Sequence, residues 1–348
     1  MTMPDRDHLH RLLQAALEVE MFTIPPYLTA LYSIIEGSNA AAVQVIHSVV
    51  MEEMLHAALV SNLINAVGAS PRVIAVAGGA GPQRIGYPAQ APHISRPLIV
   101  ELAPFSKAAV QGFMAIERPE SPTDGAGSED GVGDENEGGD DSGATIGSLY
   151  VHIRNTLIAL HEQIGPAALF NGDPARQFGA DEYYGAGGRL APVDNLDSAL
   201  AAVDVIAQQG EGRCGLTNQA GNDTRFGQPK EVAHFYRFEE IAMGRRYDRD
   251  DDVGQPTGAR LVVDWDAVLP IGTPSNPQMP AGFQPVFDAF EARYAALLDA
   301  LQNAFNGRAT LADAVPRMHR LKVAAIEIMR IEVGEGKTCV PPFWFPQS

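Results

Sequence analysis

Cysteine is nearly absent: Cys214 and Cys339 are the only two in 348 residues. Two thiols exclude a disulfide framework and a thiolate metal cluster, and they suit a reducing cytoplasm. Cations are scarce as well. With 25 Lys and Arg against 43 Asp and Glu, a formal net charge of -18, the chain lacks the clustered positive charge that a nucleic-acid partner or an anionic membrane surface requires. No apolar run approaches the ~18 residues of a membrane span. The first thirteen residues are charged and lead straight into a helical pattern rather than a signal peptide. The expectation is a soluble cytoplasmic protein with neither nucleic acid nor membrane among its partners.

What the chain has in quantity is apolar: 45 % of its residues are hydrophobic, enough at this length for a substantial core. One stretch departs from this. Residues 121–143 hold eight Asp or Glu and no Lys or Arg among repeated glycines, a composition that cannot collapse and reads as a mobile surface insertion. Its Asp/Asn spacing does not match an EF-hand calcium loop. Elsewhere helical periodicity dominates. It predicts helices over 7–35 and 40–67, broken at Gly37-Ser38-Asn39, then an irregular or short-stranded excursion over 71–104. Further helices are predicted over 106–117, 146–164, 196–209 and 229–246, and a hairpin over 285–305 and 311–331 precedes a Pro- and aromatic-rich tail. The fold class is all-α, a single domain over 1–348 whose helical bundle has long irregular crossovers and an additional C-terminal helical hairpin.

The chemistry lies in two Glu-x-x-His steps, Glu53 to His56 and Glu231 to His234, each in an otherwise apolar run. Residues three apart share a helix face, so each step aims one carboxylate and one imidazole at the same spot. Two such helices, with a lone Glu from each of two others, make a carboxylate-bridged two-metal site. Glu20 fits one of the lone positions. It shares the apolar face of its helix with Leu13, Ala16, Ile24 and Tyr27, and a core carboxylate needs a cation, a partner or a proton. Glu18, about 200° away, is expected in solvent. In the second helix Glu52 competes with Glu53, because that helix is apolar nearly all round; the three-residue step favours Glu53. His47 points opposite His56 and is expected to be a partly buried bystander. Glu231 and His234 share a face with Phe238 and Ile241, whereas Glu239 and Glu240 point elsewhere. For the remaining lone carboxylate, Glu211 at the end of an amphipathic helix comes first, with Glu117 and Glu162 as alternatives and His152 a weaker one. The mixed oxygen and nitrogen set suits iron or manganese.

Several segments together resemble a known family: Glu20-Met21-Phe22-Thr23-Ile24-Pro25-Pro26-Tyr27-Leu28, Glu52-Glu53-Met54-Leu55-His56 with Asn62-Leu63-Ile64-Asn65-Ala66-Val67-Gly68, Ile116-Glu117-Arg118-Pro119, Gln209-Gly210-Glu211-Gly212 and His234-Phe235-Tyr236-Arg237-Phe238-Glu239-Glu240-Ile241. They are similar to the ferritin-like domain named for iminophenyl-pyruvate dimer synthases of bacterial bisindole pathways, whose stand-alone members lie near natural-product genes. The resemblance implies a ferritin-like bundle binding two irons per chain, with Glu20, Glu53, His56, Glu211, Glu231 and His234 as ligands. The bisindole enzymes are much longer, so their coupling reaction does not transfer. The expected function is a di-iron oxidase or oxygenase that uses dioxygen on a small aromatic or amino-acid-derived metabolite, the long excursions over 71–104 and 172–192 walling its pocket. The alternative is a ferroxidase without an organic substrate. A bundle that has lost its metals and serves as a binding module ranks third. A homodimer is compatible with the chain, and Tyr27, Tyr150 and Tyr236 are read first as core residues with satisfied hydroxyls.

Overall fold

The computed structural model describes residues 5–73, 83–119, 145–183, 188–210, 232–248, 251–272, 280 and 282–347. The acidic insertion, Cys214, Glu211 and Glu231 lie outside the described residues. Helix α1, Arg6–Ser33, starts where Asp5 accepts a hydrogen bond from the His8 amide and carries Pro25 and Pro26 in its interior. Pro26 has no N–H for the carbonyl of Phe22; the Tyr87 hydroxyl donates to that carbonyl at 2.6 Å instead. Helix α2, Ala40–Ala66, is buried on nearly every side, as an apolar face all round requires. Its length and composition would allow it to cross a membrane, a property missed by the count of uninterrupted apolar residues, but it is mostly buried inside the protein.

Helices α3 (Lys107–Ile116) and α4 (Ile146–Ile164) are capped by Ser106 and Thr145. A short α5 (Pro166–Leu169) follows, then α6 (Leu196–Gln209), capped by Asn195, and α7 (His234–Met243). The last two, α8 (Gln284–Phe305) and α9 (Val315–Ile328), form the expected C-terminal hairpin. The observed α7 is shorter than the predicted 229–246 helix, and it begins at His234 itself. Likewise α9 starts at Val315, after a 3-10 turn at Leu311–Asp313.

Packing makes two four-helix rings that share α1 and α2. In one ring α1 packs on α2 and α4, and α6 joins α4 to α2; in the other, α3 and α7 pair with each other and rest on α1 and α2 respectively. The α8–α9 hairpin leans on the outside, α9 against α1 and α8 against α2. The excursion after α2 holds three short strands, β1 (Gln83–Gly86), β2 (Ala89–Gln90) and β3 (Ile99–Val100). Strand β2 pairs with β3, and β1 pairs antiparallel with β6 (Trp344–Gln347), so the excursion and the aromatic tail close onto each other. A further two-stranded ribbon, β4 (Glu332–Gly334) with β5 (Lys337–Thr338), completes the described strands.

The excursion corrects one expectation. Glu18 is buried, not solvated, because His93 reaches back from the excursion to its carboxylate at 2.7 Å and Gln14 donates to it from the preceding turn. Helical periodicity sees only a helix's own faces and cannot register a cover supplied from 75 residues away. The second excursion is tied to α2 by Asn62, which donates to the carbonyls of Phe178 and Ala191, and by Asn65, which donates to Arg176 and Phe305.

Candidate metal centre

Both rings meet at one buried cluster. Glu20 comes from the middle of α1, Glu53 and His56 from the middle of α2, Glu117 from the residue that closes α3, and His234 from the first residue of α7. All five are 3 % exposed or less. Glu20, Glu53 and His56 offer ligand atoms within 4.8 Å of one another, and so do Glu53, Glu117 and His234. Glu53 therefore belongs to both groups. The imidazoles of His56 and His234 lie nearly parallel, with centroids 5.5 Å apart.

Hydrogen bonds sort the donor atoms into outer and inner ones. The Tyr150 hydroxyl donates to Glu20 Oε1, Tyr27 donates to Glu117 Oε1 at 2.5 Å, and Thr23 donates to Glu53 Oε2 at 2.7 Å. Each carboxylate thus spends one oxygen on a hydroxyl and turns the other inward. The imidazoles do the same. His56 Nε2 donates to Gln209 Oε1 at 2.9 Å and His234 Nε2 donates to Glu52 Oε2 at 2.9 Å. The inner nitrogens are then Nδ1 in both, and they face carboxylate oxygens: His56 Nδ1 is 3.3 Å from Glu20 Oε2, and His234 Nδ1 is 2.9 Å from Glu53 Oε1 and 3.7 Å from Glu117 Oε2. His234 Nδ1 makes no hydrogen bond although it is fully buried.

A buried, unbonded lone pair against two carboxylates is unfavourable unless a metal cation or a proton sits between them. The donor set fits a metal pair for that reason: three inward oxygens, one of them common to both groups, and two imidazole nitrogens whose opposite N–H groups are anchored, the arrangement that fixes a ligating tautomer. Without a cation the cluster draws protons. Burial, then the neighbouring Glu117 and Glu20 carboxylates, push Glu53 from 4.5 up to about 8. Burial opposes protonation of His234, yet Glu117, Glu52 and Glu53 hold it well above its ordinary 6.5. Burial likewise opposes charge on His56, but Glu20 and Glu53 raise it. Glu20 would rise on burial, but the hydrogen bond and charge of His56 outweigh that and hold it below 4.5. Tyr27 and Tyr150, buried beside carboxylates, are pushed well above 10 and stay neutral donors.

Of the remaining sequence candidates, Glu117, one of the alternatives, lies in the cluster, whereas Glu162 is exposed on α4. Glu52, the competitor of Glu53, stands behind His234 and is clamped by Arg237, whose Nη1 and Nη2 meet its two oxygens at 3.1 and 2.9 Å. Arg237 outweighs the burial of Glu52 and, with His234, holds its carboxyl at about 2. Glu239 and Glu240 do point elsewhere, to Tyr247 and Arg246. Tyr236 is buried and packs with Phe235 and Tyr247. His47 is exposed rather than partly buried, and exposed His152 meets the His8 ring by an edge-on contact. Gln209 and Arg237 were missed. The signal for Arg237 was present, a charged residue one turn after His234 on the face of Ile241; Gln209 stands two residues before Glu211, at the end of the same amphipathic helix.

Among the described residues, helices α4 and α6 give the cluster Tyr150 and Gln209 rather than carboxylates, and the described donors come from the second ring, α1–α2–α7–α3. Beside them is a cavity of ≈ 10 Å³ lined by Glu20, Glu53, His56, Glu117, Ile146, Gly147, Tyr150, Ile206, Ala207 and Gly210, room for about one water. No described residue of 83–104 or 172–192 lines it. Within the described residues the two excursions brace α1 and α2 instead of walling a pocket at the cluster.

Comparison with known proteins agrees with this architecture. A family model described as Ferritin-like matches residues 13–243. No curated protein matches the chain. Among solved structures, the crystal structure of a ferritin-like protein from Caulobacter vibrioides superposes with a TM-score of 0.65 at 24 % identity, covering 98 % of this chain and 99 % of that one. At that identity the likeness is one of fold.

Proposed function

The chain belongs to the ferritin-like family, and on that premise we propose that it is a di-iron, dioxygen-dependent oxidase or oxygenase acting on a small aromatic or amino-acid-derived metabolite. The observation that carries the reading is the pair of donor groups sharing Glu53, with every outer atom tied back and every inner atom facing its neighbours. Glu20, Glu53 and His56 would hold one iron, and Glu53, Glu117 and His234 the other; the Glu-x-x-His step adds Glu231 to the second. Two reduced irons bound there supply electrons and Lewis acidity toward dioxygen. The chain's own part is orientation and proton handling. Thr23, Tyr27 and Tyr150 keep the carboxylates from swinging away, and the two tyrosines hold protons at Glu117 Oε1 and Glu20 Oε1. Ile146, Ile206 and Ala207 line the cavity with hydrocarbon and limit the water that reaches the carboxylates.

Support for an organic substrate comes from the segments that resemble the iminophenyl-pyruvate dimer synthase domain and from the α8–α9 hairpin and strand-bearing excursion, elaborations that a compact storage subunit does not need. A second reading, ferroxidation without an organic substrate, is favoured by the cavity, whose ≈ 10 Å³ admits water or a diatomic but no metabolite. Oxygen uptake by the iron-loaded, reduced protein separates the two. An oxidase or oxygenase consumes oxygen faster with one member of a panel of aromatic amino acids and their imino and keto forms. Uptake proportional to added iron and indifferent to that panel would establish the ferroxidase reading instead.

A further inference from the structure

We infer that the two metal positions are built to be unequal: the position held by Glu53, Glu117 and His234 binds its metal more tightly and fills first, because His234 is backed by a carboxylate and His56 by an amide. This rests on the metal reading above and goes beyond it. In other respects the described donors of the two positions correspond. Each has a glutamate whose Oε1 accepts a tyrosine hydroxyl and whose Oε2 turns inward, each shares Glu53 Oε1, and each has an imidazole presenting Nδ1.

The backs of the imidazoles differ. His234 Nε2 donates to Glu52 Oε2 at 2.9 Å, and His56 Nε2 donates to Gln209 Oε1 at the same distance. A hydrogen bond to an anionic acceptor is roughly twice as strong as one to a neutral amide. It also draws the N–H proton toward the acceptor and leaves the opposite nitrogen a better electron-pair donor. Arg237 makes the difference permanent. It meets both oxygens of Glu52 and donates further to Ser48 Oγ and the Val232 carbonyl, so neither group is free to rotate. Glu52 is thereby a positioning residue for His234, held on the far side of the imidazole from the cluster, and Arg237 positions Glu52.

The test is a cobalt(II) titration of the metal-free, full-length protein, followed by calorimetry and by the d–d absorption of the bound ion. The expected result is two resolved steps, the first roughly 10- to 100-fold tighter, the range that loss of an outer hydrogen-bond partner costs in metal affinity. His56→Ala should keep the tight step and His234→Ala should lose it. Glu52→Gln should weaken the tight step and bring the two together. Gln209→Glu leaves the Glu52–Arg237 pair untouched and should close the gap from the other side, by strengthening the weaker step. Two equal steps in the unaltered protein, or a gap that neither Glu52→Gln nor Gln209→Glu changes, would overturn the inference while leaving the metal reading intact. Failure to take up any cobalt would overturn the metal reading itself, and the inference with it.

Discussion

Arg237→Met should destabilise the metal-free protein by about 3–5 kcal/mol at pH 7, the usual consequence of removing one partner of a buried ion pair. The structure gives an independent route to the magnitude. Glu52 is fully buried, which by itself would raise its pKa, yet Arg237 and His234 hold it at about 2 instead of 4.5. At 1.36 kcal/mol per decade that depression is worth roughly 3 kcal/mol of net attraction, burial already subtracted. Because the folded-state pKa is the depressed one, this stabilisation is present above 4.5 and is lost as the pH falls toward 2. The assay is urea unfolding of the metal-free protein, compared for the unaltered chain, Arg237→Met and the double variant Arg237→Met/Glu52→Leu. The double variant removes the stranded carboxylate as well, so it should recover part of the loss, leaving a deficit of roughly 1–3 kcal/mol from the vacated Ser48 and Val232 acceptors and from the His234 N–H that loses Glu52. A single variant that loses less than about 1 kcal/mol, or a double variant no better than the single one, would refute the claim that Glu52 depends on Arg237.

The cluster makes a second pH dependence of opposite sign. Glu53, raised to about 8, and His234, raised above 6.5, bind protons more tightly when folded, so the melting temperature of metal-free protein should fall as the pH rises from 6 through about 8, and loading at pH 7 should release protons, measurable with an indicator dye. A melting temperature that climbs over that interval would contradict it. Glu117→Ala should cost the protein about one metal by elemental analysis, whereas Glu162→Ala on the surface of α4 should leave the content unchanged; the reverse pattern would restore Glu162 as the ligand. Gly172→Ala should lower stability by about 1–3 kcal/mol in urea unfolding, since the added methyl would lie 1.7 Å from the Asn65 carbonyl oxygen and force α2 and the second excursion apart.

The sequence carried the helices of both rings, because their apolar faces recur with a 3.6-residue period that packing then rewards. It carried Glu20 and the Glu53–His56 step for the same reason: a carboxylate on an apolar face has to answer to something in the core. Three matters were not legible. Periodicity could not rank Glu52 against Glu53, since α2 is apolar on all sides, and what separates them is Arg237, 185 residues along the chain. Nor could it bring Glu117 beside His234, because Glu117 closes a helix and its direction is set by where α3 stops against α7; Glu211, the first choice for the lone carboxylate, lies outside the described residues. The burial of Glu18 depends on His93 from a non-helical excursion, and no local pattern encodes that contact.

A two-metal centre requires Glu53 to stand between two metal ions. Anomalous diffraction at the iron edge, on crystals of protein loaded anaerobically with ferrous iron, tests this most directly. Two iron peaks per chain are expected to flank Glu53, one beside Glu20 and His56 Nδ1 and the other beside Glu117 and His234 Nδ1. A single peak, a peak on Glu52 instead of Glu53, or a cluster that takes only zinc would contradict it.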